Sequence, residues 1–401
     1  MKTTFKRSVL TMLITLGCIN TAWAALTPIT PADGKQCRAA SINNSTVVVG
    51  NCTSGDALIP SQPWVAATPT NAVILPRLAP AQPCTAAMIS NAGWIAGDCG
   101  SPSGANFGVT WNANDLAAGI IKLQPRSGLI GLFPDISTRT VAMNQRGGVL
   151  GSSLNQSGVS TVVLWAAGKS TPQDVSSPGD NCRGVDINFT LFNGRPTAAL
   201  NCPNANGTMT GKIARHNGLL YVATALPKPT GALTCVATAI NDSVQVIGGC
   251  QYASAPFSRA VFWASPTSTP VAVPTLNNSV SIATLLNNAG KVVVAYEDAD
   301  GNGSTALWDT TGNSVTLVPA FTTGVGSSGV ALADNGTLLV MGANSATDTQ
   351  SATWDPVNGL QSLGFYNGGL NTMIDVISQD GSSISGAAED STQTITAVLV
   401  Q

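Results

Sequence analysis

The chain is poor in histidine, in charged residues and in aromatic residues, and each shortage argues against a class of function. His216 is the only histidine, which excludes a metal site built from several histidines. Charged residues make up 9% of the chain, so few acids and bases are available for chemistry. Aromatic residues make up 5%, and the aromatic girdles typical of outer-membrane barrels are not expected.

Long hydrophobic runs are also missing, apart from a short one near the N-terminus. Lys2, Lys6 and Arg7 precede the apolar run 9–16, and the small-x-small sequence Ala22-Trp23-Ala24 follows it. This order predicts a signal peptide over residues 1–24, cleaved before Ala25, and a single domain over 25–401. A lipoprotein anchor at Cys18 is not expected, because Thr15 stands where such signals carry an aliphatic residue.

The charge balance argues against nucleic acid as a partner. The chain has 18 basic and 20 acidic residues, and three of the basic ones lie in the predicted signal peptide. The remainder would have a net charge of −5, which does not favour a broad field for nucleic acids or anionic membranes. We therefore expect an exported protein, periplasmic or extracellular, without an integral membrane segment after signal cleavage.

Eight cysteines follow Cys18, and their spacing predicts a disulfide framework. Three of the gaps are 15 residues and one is 20. Zinc sites need close Cys-x-x-Cys pairs, and the sequence has none. The predicted pairs are Cys37–Cys52, Cys84–Cys99, Cys182–Cys202 and Cys235–Cys250.

Aligning the cysteine segments shows a unit of about 47 residues that recurs along the chain. Each unit has two β runs joined by a turn rich in Asn, Asp and Gly, then a third run that often ends in tryptophan, then a short fourth run. Such turn residues tolerate positive φ angles. The units begin near residues 37, 84, 138, 182, 235, 281, 327 and 372. Four short strands per unit predict an all-β fold, a β-propeller of four-stranded blades.

The two ends of the chain predict how the ring closes. The eighth unit stops after its third run, 394–400, and residues 25–30 resemble the missing fourth run. We therefore expect the mature N-terminal strand to complete the last blade and to remove exposed edges. Eight blades are favoured, and seven remain an alternative because the fourth unit lacks the tryptophan.

The repeat resembles the extracellular HAF repeat of bacteria, whose pattern is Ala-x-x-Ile-Asn, then Gly-x-Val-Val-Gly, then Ala-Phe-Leu-Trp. The best matches are 239–248 with 260–263, and 292–294 with 306–308, and the likeness covers most of residues 37–400. The His-Ala-Phe triplet that gives the family its name is absent. The resemblance implies a secreted or surface protein with a β-propeller-like fold, and it implies no activity.

Three arginines share one repeat position, just after the start of the first run: Arg38, Arg139 and Arg183. If that run is the innermost strand, they would line the channel, where arginine forks suit carboxylate or phosphate. The alternative is that they pair with Asp186, Asp375 or nearby carbonyls. We treat these five residues as a candidate ligand site.

The remaining candidates are structural or metal-binding. Asp298, Asp300 and Asn302 alternate with small residues as in a calcium loop, but the later bidentate acid is missing, which favours a solvated turn. The repeated tryptophans are expected to pack between blades. His216 is expected to be an exposed turn residue.

Three functions fit these observations. The first is a non-enzymatic, monomeric repeat protein that presents a binding face for a glycan, a small anion or a cell-surface protein. The second is a propeller hydrolase or lyase that acts on acidic saccharides at the channel mouth. The third is a purely structural surface protein. Apart from the Ca²⁺ candidate, no cofactor is expected, and no catalytic residue is assigned.

Overall fold

The computed structural model describes residues 25–31, 36–53, 61–80, 82–101, 104–127, 134–253, 255–274, 280–297, 303–321, 326–343 and 348–400. The predicted signal peptide and the calcium candidates Asp298, Asp300 and Asn302 lie outside these residues. The described part contains no helix with the length and hydropathy of a membrane span.

The described residues form 32 strands in eight four-stranded antiparallel sheets, each one blade of a propeller. Blade 1 contains β2 (Gln36–Ile42), β3 (Val48–Thr53), β4 (Gln62–Ala66) and β5 (Ala72–Ile74). Blade 2 contains β6 (Cys84–Ile89), β7 (Trp94–Gly100), β8 (Asn106–Asn112) and β9 (Ile121–Lys122), with the 3-10 helix Leu116–Ala118 before β9. Blade 3 contains β10 (Ser137–Met143), β11 (Val149–Leu154), β12 (Ser160–Trp165) and β13 (Gln173–Asp174). Blade 4 contains β14 (Arg183–Phe192), β15 (Arg195–Pro203), β16 (Met209–His216) and β17 (Tyr221–Ala225).

The second half repeats this order. Blade 5 contains β18 (Ala232–Ile240), β19 (Val246–Tyr252), β20 (Ala255–Trp263) and β21 (Val271–Ala272). Blade 6 contains β22 (Val280–Leu286), β23 (Lys291–Glu297), β24 (Gly303–Asp309) and β25 (Ser314–Leu317). Blade 7 contains β26 (Ser327–Leu332), β27 (Leu338–Ala343), β28 (Thr349–Asp355) and β29 (Gly359–Ser362). Blade 8 contains β30 (Thr372–Ile377), β31 (Ile384–Glu389) and β32 (Ile395–Val400), and β1 (Leu26–Ile29) is its fourth strand.

The predicted ring closure is therefore confirmed, and there are eight blades. β1 pairs antiparallel with β32, from Leu26 opposite Val400 to Ile29 opposite Ala397. Eight apolar clusters fill the eight interfaces between successive blades, including the one between blades 8 and 1. Because each first strand contacts the first strands of the neighbouring blades, these strands surround the central channel.

The four predicted disulfides are also confirmed, and each joins the first strand of a blade to the second. In blade 1, for example, Cys37 lies directly opposite Cys52 in the strand register. All eight cysteines are buried in the apolar interfaces between blades. Four disulfides indicate that the protein folds in an oxidising compartment and is exported.

Each first strand contains a β-bulge at the same repeat position, which the sequence pattern does not reveal. The first strands of blades 4 and 5 each contain a second irregularity. The bulge brings the first strand close to the second, and the second strands of five blades carry glycine there: Gly50, Gly97, Gly151, Gly248 and Gly386. A Cβ added at Gly248 would lie 1.9 Å from the carbonyl oxygen of Val236, and one at Gly50 would lie 2.1 Å from that of Arg38. This close approach explains the glycine that ends the Val-Val-Gly pattern.

The tryptophans pack in the core as predicted, and most also bind a neighbouring carbonyl. Trp111, Trp165 and Trp263 donate their indole N–H groups to the carbonyls of Pro76, Gln124 and Pro227, at 2.8, 3.1 and 2.8 Å. Each acceptor follows the last strand of the preceding blade. These indoles therefore tie successive blades together.

The prediction for His216 was wrong. It is 7% exposed, ends β16, and meets the ring of Tyr221 edge-on at 5.3 Å between ring centroids. Its Nδ1 accepts a hydrogen bond from the backbone N–H of Gly218. β16 extends beyond the position at which the third strands of other blades carry tryptophan. His216 therefore lies in the strand, opposite Tyr221, and not in the turn.

Candidate functional site at the channel mouth

The first strands end at one mouth of the channel, here called the turn-side mouth. Buried asparagines follow four of these strands: Asn43, Asn144, Asn241 and Asn287. In blade 5, Oδ1 of Asn241 accepts the N–H groups of Ser243 and Gln245, at 3.1 and 2.9 Å. Its Nδ2 donates to the carbonyl of Asn287 in blade 6, at 3.0 Å. Each asparagine thus shapes its own turn and binds the next blade.

A second ring of hydrogen bonds follows one residue later. The backbone N–H of Asp242 donates to Oδ1 of Asn288, and that of Asn288 donates to Oδ1 of Asp334. The same link joins Asn44 to Asn91, and Asn91 to Gln145. The Asn and Asp residues of the turns therefore act mainly as links between blades. The positive φ angles of these turns belong to other residues, mostly the following glycines.

Blade 4 departs from the repeat at two positions on one strand. Phe189 replaces the amide or carboxylate of the second ring, and the guanidinium of Arg146 stacks on its ring at 4.6 Å. Asp186 follows the bulge, where the other blades carry uncharged residues. Those residues are Ser41, Met88, Ala142, Ala239, Leu285, Ala331 and Val376.

Both exceptional residues face the same space. An inner cavity of about 320 Å³ is lined by residues of all eight blades, Asp186 and Phe189 among them. An outer cavity of about 480 Å³ shares Phe189 with the inner one. The outer cavity is lined by Asn91, Ala92, Gln145, Arg146, Phe189, Asp242 and Gln379.

Several lining side chains form the second ring of hydrogen bonds with one polar atom, and their other polar atom is available to a ligand in the cavity. Oε1 of Gln145 accepts the N–H of Asn91, and Oδ1 of Asp242 accepts the N–H of Phe189 at 2.6 Å. Within the described part of the chain, Nε2 of Gln145 and Oδ2 of Asp242 have no hydrogen-bond partner. The mouth therefore offers donors, an acceptor and an aromatic ring.

Asp186 lies on the inner wall of this cavity and is held by two backbone groups. Its Oδ1 accepts the N–H of Ile187 at 2.8 Å, and its Oδ2 accepts the N–H of Ile240 in blade 5 at 3.1 Å. Burial raises the pKa of Asp186 to about 6; the two N–H groups lower it and the charge of Asp242 raises it further. Asp186 as a whole residue is half-buried.

Replacing Asp186 with asparagine should change how stability depends on pH. The folded protein keeps a proton on Asp186 that the unfolded chain has lost between about pH 4 and pH 6. The contribution of protonated Asp186 to the free energy of unfolding is therefore fully present below about pH 4 and is lost as the pH rises to about 6. With partial solvent access, we expect wild type to lose about 1–3 kcal/mol relative to Asp186→Asn across this window.

Urea unfolding at several pH values between 4 and 7 measures this difference. Asp98 and Asp375, whose pKa values burial also raises, contribute equally to both proteins and cancel. Parallel curves for the two proteins would show that Asp186 titrates as an ordinary exposed acid.

The predicted arginines lie toward the other end of the first strands. Arg38, Arg139 and Arg183 are exposed, at the beginnings of β2, β10 and β14. Arg38 donates to Sδ of Met373, and its charge lowers the pKa of Asp375 against the larger effect of burial. Asp186 lies three residues beyond Arg183, on the wall of the mouth cavity.

The metal candidates are limited. Among the described residues, one cluster of three potential metal-ligating residues occurs, Asp180 with Cys182 and Cys202. The two sulfur atoms of that cluster are bonded to each other, so no thiolate is available.

Acidic and basic residues are distributed unevenly around the propeller, and the net charge of the whole chain does not show this. Residues 281–401, which form blades 6–8, contain eleven acidic residues and one lysine. Residues 187–241, from the end of the first strand of blade 4 into blade 5, contain four basic residues and no acid. Counting charge for each repeat would have shown this asymmetry from the sequence.

Comparison with known proteins supports the fold. No protein-family profile matches the chain, and no curated protein matches it. Among solved structures, it is similar to a prolyl endopeptidase (TM-score 0.54, 17% identity, 84% of this chain and 48% of the other). It is also similar to a post-proline cleaving enzyme from Rickettsia typhi (0.54, 10%, 92% and 57%) and to oligopeptidase B from Leishmania major (0.56, 10%, 92% and 53%).

The chain spans about half the length of these enzymes. At 10–17% identity the likeness shows the propeller fold alone.

Proposed function

We propose that the protein is an exported, non-enzymatic binding protein that holds a glycan at the turn-side mouth, in the periplasm or outside the cell. The observation that carries the proposal is the double departure of blade 4, which places Asp186 and Phe189 in one cavity. The other seven blades carry an amide or carboxylate side chain at the position of Phe189 and an uncharged residue at that of Asp186, whereas blade 4 introduces an aromatic ring and a carboxyl there. Kinship with the HAF-repeat family is part of the same proposal.

The chemistry of the lining favours a saccharide. Hydroxyl groups both donate and accept, which suits the unpaired Nε2 of Gln145 and the unpaired Oδ2 of Asp242. The apolar face of a sugar ring suits the phenyl ring of Phe189. Arg146 and Asp242 carry opposite charges, so a neutral or weakly acidic sugar fits better than a strongly charged anion.

A glycan screen followed by calorimetric titration tests the proposal. Phe189→Ala should weaken binding about fivefold, since stacking of this kind contributes about 1 kcal/mol. Phe192→Ala is the matched control, because Phe192 lies near the tip of the same hairpin and is 46% exposed. Equal losses in both variants, or no bound glycan, would contradict the proposal.

A second candidate is a hydrolase that cleaves a saccharide at this mouth. A carboxyl with raised pKa beside a second carboxylate is the pair that glycosidases use, and Asp186 and Asp242 have these properties. Binding is favoured, because backbone N–H groups occupy both oxygens of Asp186. Release of a reducing sugar that Asp186→Asn abolishes would establish the hydrolase instead.

A further inference from the structure

The outer strand of blade 4 differs from the outer strands of the other blades. β17 has five residues, whereas the others have two to four. Its residues 222–225 are exposed, and its sequence, Tyr-Val-Ala-Thr-Ala, has neither a charge nor a proline. Exposed edges are usually short, charged or interrupted, because unpaired strands attract other chains. This edge has none of these protections.

The hydrogen bonds of β17 leave one side of the strand open. Its inner side pairs with β16, from Tyr221 opposite His216 to Ala225 opposite Lys212. The N–H of Leu226 donates to the carbonyl of Gly211 at 2.9 Å. Since antiparallel pairing alternates, the N–H groups of Thr224 and Val222 also point to β16, and those of Ala223 and Ala225 point outward. Within the described residues these outward groups have no partner.

Apolar side chains continue the edge beyond the strand. Leu219 is 83% exposed, Leu220 is 50% exposed and Val222 is 45% exposed. They are held in place, because Oδ1 of Asn217 accepts the N–H groups of Leu219 and Leu220, both at 2.9 Å. The hydroxyl of Tyr221 also donates to the carbonyl of Pro196. The exposure therefore belongs to an anchored segment.

Two lysines of blade 4 lie beside this edge. Lys212 is on β16, opposite Ala225, and the exposed Lys228 follows β17, whereas Arg215 of β16 stacks on Phe192. The small side chain of Ala225 leaves room for Lys212 to reach a neighbouring strand. Residues 187–241 contain no acid, and Asp174 of blade 3, which lines one cavity with Leu219 and Leu220, is paired with Arg126. A partner strand would therefore need acidic residues.

We propose that β17 is a docking edge for an extended, acidic segment of another protein, added to blade 4 as a fifth strand. The outward N–H and carbonyl groups would supply the main-chain bonds of such β-augmentation. Leu219, Leu220 and Val222 would contact apolar side chains of the segment. A second copy of the chain is the less suitable occupant, because its own β17 would present no acidic residue to Lys212.

A ten-residue peptide that alternates glutamate with valine or leucine is the probe, with a lysine version of the same peptide as control. Fluorescence anisotropy of the labelled peptide measures its affinity for the oxidised protein. We expect the glutamate peptide to bind more tightly than the lysine peptide and to weaken at high salt. Ala223→Pro should reduce its affinity at least tenfold, and Ala223→Val, which keeps the N–H, should not.

Leu219→Ser provides a second test, since an 83% exposed side chain can be changed without affecting folding. It should weaken peptide binding severalfold, whereas Val357→Ser, at a 90% exposed site on blade 7, should not. Equal binding of the two peptides, or unchanged binding by Ala223→Pro, would overturn the proposal. A wild-type dimer that Ala223→Pro dissociates would overturn it in favour of a second copy. Phe189→Ala should leave peptide binding intact, which separates this proposal from the glycan site.

Discussion

Deletion of residues 25–31 is expected to lower the free energy of unfolding by more than about 3 kcal/mol and to cause aggregation. The deletion removes β1, whose Ile29 is 1% exposed and packs with Ile42, Trp64 and Leu399. Loss of one such buried side chain costs about 2–5 kcal/mol. It also exposes the edge of β32, whose sequence Ile-Thr-Ala-Val-Leu-Val is apolar and uncharged.

Denaturant unfolding and sedimentation at several concentrations measure both effects. Thr30→Ala is the control, because Thr30 is exposed just after β1 and its backbone bond to Pro69 is kept. A synthetic 25–31 peptide should restore part of the lost stability. A truncated protein that stays monomeric with unchanged stability would show that β1 does not close the ring.

Asn241→Ala is expected to lower the free energy of unfolding by about 2–4 kcal/mol. The side chain is 4% exposed, and alanine leaves the N–H groups of Ser243 and Gln245 and the carbonyl of Asn287 without their partner. Each buried polar group without a partner costs about 1–3 kcal/mol, and local water recovers part of this.

Asn206→Ala is the matched control. Asn206 also caps a turn, accepting the N–H of Thr208 at 3.1 Å, but it is exposed and, within the described residues, forms no hydrogen bond to another blade. Its replacement should cost less than about 1 kcal/mol, because water takes over the lost bond. If both variants lost the same stability, the asparagines would act within their turns only, and not between blades.

The strands, the disulfides and the closure followed from the sequence because they depend on local patterns. Alternating apolar residues specify each strand, and the turn between Cys37 and Cys52 sets the register that joins them. The unpaired third run at 394–400 had one matching segment at the other end of the chain. Because these features repeat, the strand assignment in one unit could be checked against the same positions in the other units.

The site was harder to predict because it depends on contacts between blades. Asn241 belongs to the repeated Ile-Asn motif at the end of the first run, and its bond to blade 6 appears only when the ring is built. Phe189 lies in the one unit whose cysteines are 20 residues apart, but an extra-long hairpin has no local signature of binding. Asp186 was identified as a candidate, although its partner is the backbone of Ile240 and not the arginines.

Titration of one saccharide into variants changed at either end of the channel shows most directly where the ligand binds. Asp242→Asn keeps the ring bond to Phe189 and removes the charge at the turn-side mouth, whereas Arg139→Ala changes the exposed start of β10. Calorimetric titration should show affinity reduced at least about tenfold by Asp242→Asn and unchanged by Arg139→Ala. The reverse result would place the ligand among the arginines and contradict the assignment of the mouth as the site.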